Sequence, residues 1–365
     1  MSIKYVFDEI LKLIKFFRPS FAGKLITAGV LLFLGVWGYN GNVIFEHVGD
    51  INHLKLDFST SEIPEIISYL VTFFAFAMIL AGCFIGGFDW IATHRRNTRL
   101  KNIVIELRGL DGSVNTPLQD KIAVAYPGQV EEVLIDIRSH VSAQTKPELE
   151  RALEKVNNAR SRVETAIAGK AREDIVIHAG MIAPVPFQFL LGAILDDEFI
   201  PNIWEYERFR KEWQPLDNND ATLQIVDNLD QVKLGKASEV VLALSATYQI
   251  SDEPLANTWS KLKIIRITVP DATPSTIWTE NDQILIVEAF VDVMAKLHNR
   301  GIKRVHLALA ASPSISLRLG SHYDQRNFPE IAVYQYNPNQ KRYTWGVHLP
   351  IDEHHSSKVG KLVNI

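Results

Sequence analysis

The sequence predicts an α/β protein in which an N-terminal two-helix transmembrane hairpin is followed by two similar units of alternating strands and helices. Three observations predict this fold. Two long apolar stretches without charge lie in the first quarter of the chain. Strand and helix patterns alternate through the remainder. One unusual segment, a His and a Gly separated by thirteen residues, occurs twice, as HAGMIAPVPFQFLLG from His178 and HLALAASPSISLRLG from His306.

The composition limits the possible functions of the chain. Its 365 residues carry a formal net charge of −4, so it lacks the overall positive field that favours binding to duplex nucleic acid. We therefore expect no DNA or RNA duplex as a partner. Cys83 is the only cysteine and lies in an apolar stretch. This excludes disulfides and thiolate metal clusters within the chain and fits a reducing compartment.

The two apolar stretches predict membrane-spanning helices. Residues 25–45 contain no charged residue and no His, and residues 66–88 have the same character. A helix needs about 20 apolar residues to cross the hydrocarbon core, so we predict spans over about residues 22–43 and 66–88. Asn40, Gly41 and Asn42 make the end of the first stretch more polar. The predicted N-terminal domain, residues 1–101, contains both spans.

The flanking charges predict the orientation of the hairpin. The loop between the spans has five acidic residues and one Lys, so we place it outside. We expect both termini in the cytoplasm, because basic residues lie before the first span and after the second. These residues are Lys4, Lys12, Lys15, Arg18 and Lys24 on one side, and Arg95, Arg96, Arg99 and Lys101 on the other.

Two further features of this region concern packing at the membrane. Apolar residues at helical spacing over residues 3–17, flanked by lysines, predict an amphipathic helix on the inner leaflet. The second span contains Gly82-x-x-x-Gly86, a spacing that lets helices approach closely. This pair packs either the two spans against each other or copies of the protein together. Neither apolar stretch, 25–45 or 66–88, contains a charged residue or a His, so we expect no preformed ion pathway.

From about residue 102 the order of strands and helices repeats. The first half has the strands NIVIELRGL, EEVLIDIRS, DIVIHAGMIA and NIWEYERF, and the second has SEVVLALSAT, LKIIRITV, KRVHLALAAS and EIAVYQYN, with helices between them. This alternation implies parallel strands with helices on the sheet faces. We place the halves at about 102–235 and 236–350. Ligands of open α/β sheets bind at the carboxyl ends of the strands, so the two halves are expected to form one composite pocket.

The repeated segments and the strands containing WEY and YQY resemble the SAVED domain, a pair of fused CARF-like (Rossmann-like) units of bacterial CBASS anti-phage systems. The resemblance covers residues 102–365, and with the two spans the whole chain resembles the two-transmembrane SAVED effectors. It implies a protein of the bacterial inner membrane that binds a cyclic oligonucleotide made by a partner nucleotide synthase. Binding would drive self-association into higher oligomers and damage to membrane lipid in abortive infection. We expect this ligand in place of a cofactor and favour a cyclic trinucleotide over a dinucleotide.

The starts of the two repeated helices are the first candidates for ligand contact. Ser312 and Pro313 form a favourable helix start, in which the Ser side chain is expected to accept a backbone N–H. Ser314 adds a hydroxyl to a helix terminus whose free N–H groups suit phosphate. The alternative is ordinary helix capping. The matching turn of the first half contains Pro184, Pro186 and Phe187.

Aromatic, basic and strand-end residues complete the candidate set. Aromatic faces can stack on bases and guanidinium groups can pair with phosphates, whereas the alternatives are core packing and surface salt bridges. His178 and His306 are expected to be hydrogen-bonded core residues. The candidates are Trp204, Tyr206, Tyr334 and Tyr336 among the aromatic residues, Arg108 and Arg318 among the basic ones, and Thr247 and Tyr248 at a strand end.

The sequence contains no G-x-S-x-G, Walker or H-E-x-x-H motif. We therefore assign no catalytic and no metal-binding residue and expect the protein not to be an enzyme. Two other functions stay open at this point. One is a ring-nuclease-like enzyme that cleaves its own cyclic oligonucleotide. The other is a membrane-tethered sensor that recruits a separate effector.

Overall fold

A computed structural model of the chain describes residues 20–37, 42–48, 51–57, 65–110, 116–196, 199, 201–207, 210–270, 273, 277–350 and 360–364. The chain divides into two compact units, Met1–Thr98 and Arg99–Ile365. The amphipathic helix that the sequence predicts over residues 3–17 lies outside the described residues.

The described residues of the first unit form two helices and two antiparallel strands: α1 (Phe21–Trp37), β1 (Asn42–Val48), β2 (Ile51–Asp57) and α2 (Glu65–Arg99). Within the described part of the chain, α2 alone is long and apolar enough, over Tyr69–Arg99, to cross a membrane. The 17 residues of α1 make a helix about 25 Å long, slightly shorter than the hydrocarbon core. The sequence predicts a span over 22–43, whereas α1 ends at Trp37 and Asn42 already belongs to β1. Most residues of β1 are β-branched or aromatic, and these types favour strands.

A close contact at Gly82 joins the two helices of this unit. A Cβ at Gly82 would lie 2.6 Å from Cγ1 of Ile26 and 2.9 Å from the carbonyl oxygen of Ala22. Gly86 faces the Cβ of the same Ala22 at 3.5 Å, whereas a Cβ at Gly87 would meet no described atom within 4 Å. Small residues permit such close helix packing. The predicted glycine pair therefore packs the two helices of one chain against each other.

The second unit begins with a five-stranded sheet, which we call lobe 1. Its elements are β3 (Lys101–Arg108), α3 (Leu118–Ala125), β4 (Gln129–Asp136), α4 (Arg138–Ala143), α5 (Lys146–Asn157), α6 (Ala159–Ile167), β5 (Ile175–Ile182), α7 (Val185–Leu195), β6 (Asn202–Glu207) and β7 (Glu212–Pro215). The strand order is β4-β3-β5-β6-β7. The first four strands are parallel and β7 is antiparallel to β6.

A seven-stranded sheet follows, which we call lobe 2. Its elements are β8 (Val226–Asp227), β9 (Glu239–Ser245), α8 (Asp252–Thr258), β10 (Lys263–Thr268), α9 (Glu280–Asn299), β11 (Arg304–Ala310), α10 (Pro313–Ser321), β12 (Glu330–Asn337), β13 (Arg342–Leu349) and β14 (Lys361–Asn364). The strand order is β14-β13-β12-β11-β9-β10-β8.

The two lobes have the same topology. The strands β10-β9-β11-β12-β13 repeat β4-β3-β5-β6-β7 in order and in direction, with parallel pairing up to β12 and an antiparallel last strand. Strands β8 and β14 extend lobe 2 at its two edges. The α/β architecture of two Rossmann-like units that the sequence predicts is thereby confirmed.

Each sheet has two differently packed faces. Alternate residues of β3 point to opposite sides, so that Ile103, Ile105 and Leu107 belong to a large core while Val104 belongs to a smaller one. We call the face on the large core the inner face and the other the outer face. The large core contains residues of both sheets and of α7 and α10, so the lobes share one hydrophobic interior.

Candidate functional site

Helices α7 and α10 pack against each other where the lobes meet, a contact region that we call the lobe seam. A Cβ at Gly192 of α7 would lie 2.0 Å from the carbonyl oxygen of Leu317, and a Cβ at Gly320 of α10 would lie 2.0 Å from that of Phe189. Gly192 and Gly320 are the last residues of the repeated segment. The repeat ends in Gly because each helix backbone approaches the other at this point.

Each of these helices receives at its start a side chain from the opposite lobe. Glu205 of β6 accepts hydrogen bonds from the backbone N–H of Ser314, at 2.9 Å, and from its hydroxyl. Gln335 of β12 accepts one from the backbone N–H of Val185 at 3.2 Å. Glu205 and Gln335 are the central residues of WEY and YQY. The two contacts are therefore equivalent. Neither Glu205 nor Gln335 is among the residues that the sequence predicts, because their aromatic neighbours were the candidates for stacking on a base.

The predicted capping role of Ser312 is wrong. Among the described residues its side chain accepts no N–H of the helix, and its Oγ lies 3.0 Å from the Oγ of Ser314. Pro313, which has no N–H, occupies the first turn as expected, and the N–H of Ser314 is held by the Glu205 carboxylate. A charged acceptor makes the stronger hydrogen bond, so it displaces a hydroxyl from this role.

In the matching turn of lobe 1, Pro184 precedes α7 and Pro186 lies in its first turn. Phe187 is fully buried and packs 5.3 Å from the ring of Trp345, measured between ring centroids. The three candidates of this turn thus start the helix and fill the core beneath it.

Arg318 belongs to a partly buried hydrogen-bond network behind the start of α10. Its Nε donates to Oε1 of Gln283 at 3.0 Å and its guanidinium also donates to Glu280 at 2.7 Å. Nε2 of Gln283 in turn donates to the Ser314 hydroxyl at 2.7 Å. A hydrogen-bonded chain therefore runs from Glu205 through Ser314 and Gln283 to Arg318.

Arg108 lies on the outer face of lobe 1 between two carboxylates. Its Nε donates to Glu106 at 2.6 Å, and Glu132 lies 4.0 Å from its terminal nitrogen. The hydrogen bond that Arg108 donates to Glu106 raises the pKa of Arg108, and burial raises the pKa of Glu132. Glu106 is fully buried and also accepts the N–H of Leu118, where α3 begins. The Arg108 guanidinium is thus neutralised within the fold.

Three of the four aromatic candidates lie in the outer-face cores. Trp204 and Tyr206 are 3% and 9% exposed and pack beneath α3, and Tyr334 is 5% exposed beside Trp259. These three side chains are therefore core residues, and core packing is the alternative to base stacking that the sequence left open. Tyr336 differs, because 39% of it is exposed. The first three would have to leave the core to stack on a base.

The two repeated histidines make equivalent hydrogen bonds on the outer faces, as expected for core residues. Nδ1 of His178 accepts from Nε1 of Trp204 at 3.3 Å, and its Nε2 lies 3.2 Å from Oδ1 of Asn102. Burial lowers the pKa of His178 to about 4, so the ring is neutral at pH 7. The corresponding bonds of lobe 2 join His306 to Tyr334 at 2.8 Å and to Glu239 at 3.0 Å.

The carboxyl ends of the first strands are also built alike in the two lobes. The backbone N–H groups of Ala246 and Thr247 donate to the carbonyl of Ala310 at 2.9 and 3.0 Å. The N–H groups that follow β3 bond to Ile182 in the same way. Thr247 is buried, whereas Tyr248 is 61% exposed. Tyr248 and Tyr336 are therefore the aromatic candidates with an accessible ring.

Among the described residues, no group of three His, Cys, Asp or Glu side chains is arranged to hold a metal ion. Contact of any candidate residue with a nucleotide stays a prediction.

The architecture is that of two fused Rossmann-like lobes that follow a pair of packed helices in the chain. Residues 159–349, just over half of the chain, match the family model of the SAVED domain, the SMODS-associated and fused to various effectors sensor domain. Residues 2–153 match the model of the SAVED-fused 2TM effector domain. The chain therefore belongs to the SAVED family, as a two-transmembrane SAVED effector, and the resemblance seen in the sequence is confirmed. No curated protein matches the chain.

Solved structures similar to this chain include those of SAVED/CARF-domain receptors. The Acinetobacter baumannii Cap4 receptor with the cyclic trinucleotide 3'3'3'-cAAA is 12% identical, with a TM-score of 0.45, over 76% of this chain and 58% of the receptor. The Moraxella osloensis Cap4 receptor is 10% identical, with a TM-score of 0.41, over 75% of this chain and 56% of the receptor. The similar part is thus less than two thirds of either receptor.

Proposed function

We propose that the protein is a membrane-anchored effector of CBASS anti-phage defence. It binds a cyclic oligonucleotide through its SAVED domain, self-associates on binding and disrupts the inner membrane. The observation that carries this proposal is the joining of a SAVED sensor to a 2TM effector domain in one chain. The association of this sensor with SMODS supports a functional link to a nucleotide synthase. The proposed role is that of a receptor and not of an enzyme, and the match to models of a sensor and an effector domain supports it.

The ligand is proposed to bind at the lobe seam, over the carboxyl ends of both sheets. The candidate residues fall into two groups. Tyr248 and Tyr336 are accessible and make the first contacts with bases. The remaining candidates are engaged within the fold and act by holding or shifting the elements around the ligand. Arg108 and Arg318, for example, are held by carboxylates that compete with phosphate.

The membrane topology is proposed to be two-pass in the bacterial inner membrane, with both termini in the cytoplasm. The charges on either side of the hairpin support this orientation. The length of α2 and the match to a 2TM domain support insertion. Domain boundaries at 1–101 and 102–365, with halves at 102–235 and 236–350, are part of the same proposal.

Binding and assembly are tested on the full-length protein in detergent. A panel of cyclic di- and trinucleotides, which includes 3'3'3'-cAAA, is titrated by calorimetry while light scattering records particle mass. We expect binding of at least one ligand and an increase in mass. Binding without an increase in mass would remove the assembly step, and no binding by any member would remove the proposed function.

The effect on membranes is tested with the protein in dye-loaded liposomes. We expect ligand-dependent dye release. Binding without release would favour the tethered sensor that recruits another effector. Chromatography of the ligand after incubation tests the ring-nuclease alternative, because a linear product would show turnover.

A further inference from the structure

The apolar part of α2 has an exposed aromatic side chain at each end. Tyr69 is 70% exposed and Trp90 is 68% exposed. An α-helix separates these two positions by about 31 Å along its axis. The hydrocarbon core of a bilayer is about 30 Å thick, and Tyr and Trp collect at both of its boundaries. The two rings therefore indicate the depth at which α2 crosses the membrane.

Beyond Trp90, α2 continues as far as Arg99. This extension is about 14 Å long, whereas the headgroup region adds about 5–8 Å on each side of the hydrocarbon core. The extension therefore passes through the headgroups and ends in water. Residues 89–99 contain three Arg against one Asp, so the segment is net positive. The exposed basic residues and His of the extension are His94, Arg95, Arg96 and Arg99.

Arg96 is well placed to reach a lipid headgroup. Its Cα lies about 9 Å beyond that of Trp90 along the helix axis. Helical side chains tilt toward the N-terminus of their helix, which in the proposed topology is the direction of the membrane. The long guanidinium side chain therefore points back toward the headgroups. Arg95 and Arg99 are also exposed, but both have other interactions within the chain, so the inference does not depend on them.

The ring of Trp90 is held in position by His94. The two rings are stacked, with 5.4 Å between their centroids and an angle of 12° between their planes. Residues four apart in a helix lie on the same face, so the stack follows from their spacing. A ring that is already ordered loses less conformational entropy when it inserts among headgroups. The stack therefore favours insertion of Trp90 at the membrane boundary.

We propose that Trp90, His94 and Arg96 form a binding surface for the headgroups of anionic phospholipids in the inner leaflet. The inference rests on the membrane topology of the proposed function and adds the class of lipid. Guanidinium groups form charge-assisted hydrogen bonds with phosphate. A zwitterionic lipid carries the same phosphate, but its own cationic group cancels the charge. An anionic lipid is therefore preferred, by about fivefold for each cationic side chain near the surface.

The test measures the lipid preference of the full-length protein in phosphatidylcholine liposomes. Trace amounts of spin-labelled phosphatidylglycerol or phosphatidylcholine report, by electron paramagnetic resonance, the fraction of each lipid that the protein immobilises. We expect the natural protein to prefer phosphatidylglycerol by about fivefold or more. Arg96→Gln removes the charge and should lower this preference about fivefold.

Two variants and one added anion are the controls. Arg96→Lys keeps the charge and should keep the preference. Lys261→Gln removes the same charge at an exposed position before β10 of lobe 2 and should also keep it. An equal loss in Lys261→Gln and Arg96→Gln overturns the surface on α2. Inorganic phosphate, compared with chloride at equal ionic strength, should not change the preference, and a loss with phosphate alone overturns lipid as the occupant.

Cys83 gives a separate measure of insertion in the natural protein. It is exposed on α2, and its Cα lies about 10 Å before that of Trp90 along the helix axis. In liposomes we expect lipid to shield its thiol from a membrane-impermeant maleimide. If Cys83 is shielded and Arg96→Gln keeps the full preference, the lipid surface is wrong and the proposed function stands. If Cys83 reacts rapidly, α2 is not inserted, and both fall.

Discussion

At the scale of single residues, the repeated Gly sets how closely the lobes meet. Gly192 and Gly320 each face a backbone carbonyl of the other helix, which cannot give way as a flexible side chain can. We expect Gly192→Ala and Gly320→Ala each to destabilise the protein by about 3 kcal/mol, because the added methyl forces the helices apart. The melting temperature should fall by roughly 6–12 °C.

The control for these two variants is Ser321→Ala at the end of α10. Its hydroxyl bonds to the carbonyl of Arg318 in the same helix, so we expect a change of less than about 1 kcal/mol. Equal melting temperatures for all three variants would contradict the close contact.

His178 predicts a dependence of stability on pH. Its pKa is about 4 in the folded protein and about 6.5 when unfolded, so between these values the unfolded state binds the additional proton. Stability therefore falls as the pH decreases through this window, by about 2 kcal/mol between pH 7 and pH 5. His178→Gln should flatten the slope in thermal unfolding, whereas His322→Gln, at an exposed position, should not.

Buried and exposed aromatic residues predict different outcomes on truncation. Trp204→Ala removes a core side chain and should cost about 3–5 kcal/mol of stability. Tyr248→Ala removes an exposed ring and should leave the melting temperature unchanged. If Tyr248 stacks on a base, affinity for the ligand should fall roughly 5- to 150-fold by calorimetry. Unchanged affinity would remove Tyr248 from the proposed site.

The sequence shows which residues of the lobe seam are equivalent in the two lobes, but not which residues they form hydrogen bonds with. The offset from His178 to Gly192, repeated from His306 to Gly320, is visible in the sequence and marks real structural equivalence. The hydrogen bond from Ser314 to Glu205 is not visible in the sequence, because it joins residues 109 positions apart in different lobes. Local capping rules therefore favoured Ser312 over an acceptor that only the tertiary fold provides.

At the scale of secondary structure elements, the contact between α1 and α2 predicts which glycine substitutions are tolerated. Gly82→Val should separate the helices, since its side chain would overlap Ile26. Gly87→Val points to open space and serves as the matched control. We expect ligand-dependent dye release from liposomes to be lost in the first variant and retained in the second, with ligand binding unchanged in both. Equal dye release by the two variants would show that the hairpin contact is dispensable.

Elements with a strong periodic pattern were predictable, and short or edge elements were not. The parallel strands β3, β5, β9 and β11 are mostly apolar, as buried parallel strands are, and the sequence predicts all four. The sequence does not predict strands β1 and β2, because the apolar stretch that includes the start of β1 also has the length of a membrane span. The final strand β14 has four residues and is identifiable only from its pairing with β13 and the bonds between Gly360 and Asn157.

At the scale of the whole molecule, the lobes share one core and should not fold apart. Ten of the eleven residues of α7 are buried, many of them in the core that contains both lobes. Expressed separately, residues 99–235 and 236–365 should be insoluble, because each fragment exposes its seam helix. Expressed together, they should recover a soluble complex. A fragment that melts cooperatively alone would contradict the shared core.

The general plan of the molecule followed from the sequence, whereas the arrangement of its ligand contacts did not. Two spans and a duplicated α/β unit are encoded in patterns that run over many residues. A ligand contact depends on which side chains remain accessible after folding. Of the four aromatic candidates on β6 and β12, only Tyr336 is exposed. The alternation of residues along a strand gives the face of a side chain, but not what covers that face.

The pairing of Glu205 with Ser314, opposite Gln335 with Val185, has a consequence for how such a receptor evolves. In a homodimer of identical subunits, every charge at the twofold axis is present twice. Fusion of the two copies in one polypeptide removes this constraint, so that one side can keep an acid while the other becomes neutral. The fused receptor can thereby distinguish the two ends of its own interface, which two identical subunits cannot do. A unit with distinguishable ends joins its neighbours in one direction only.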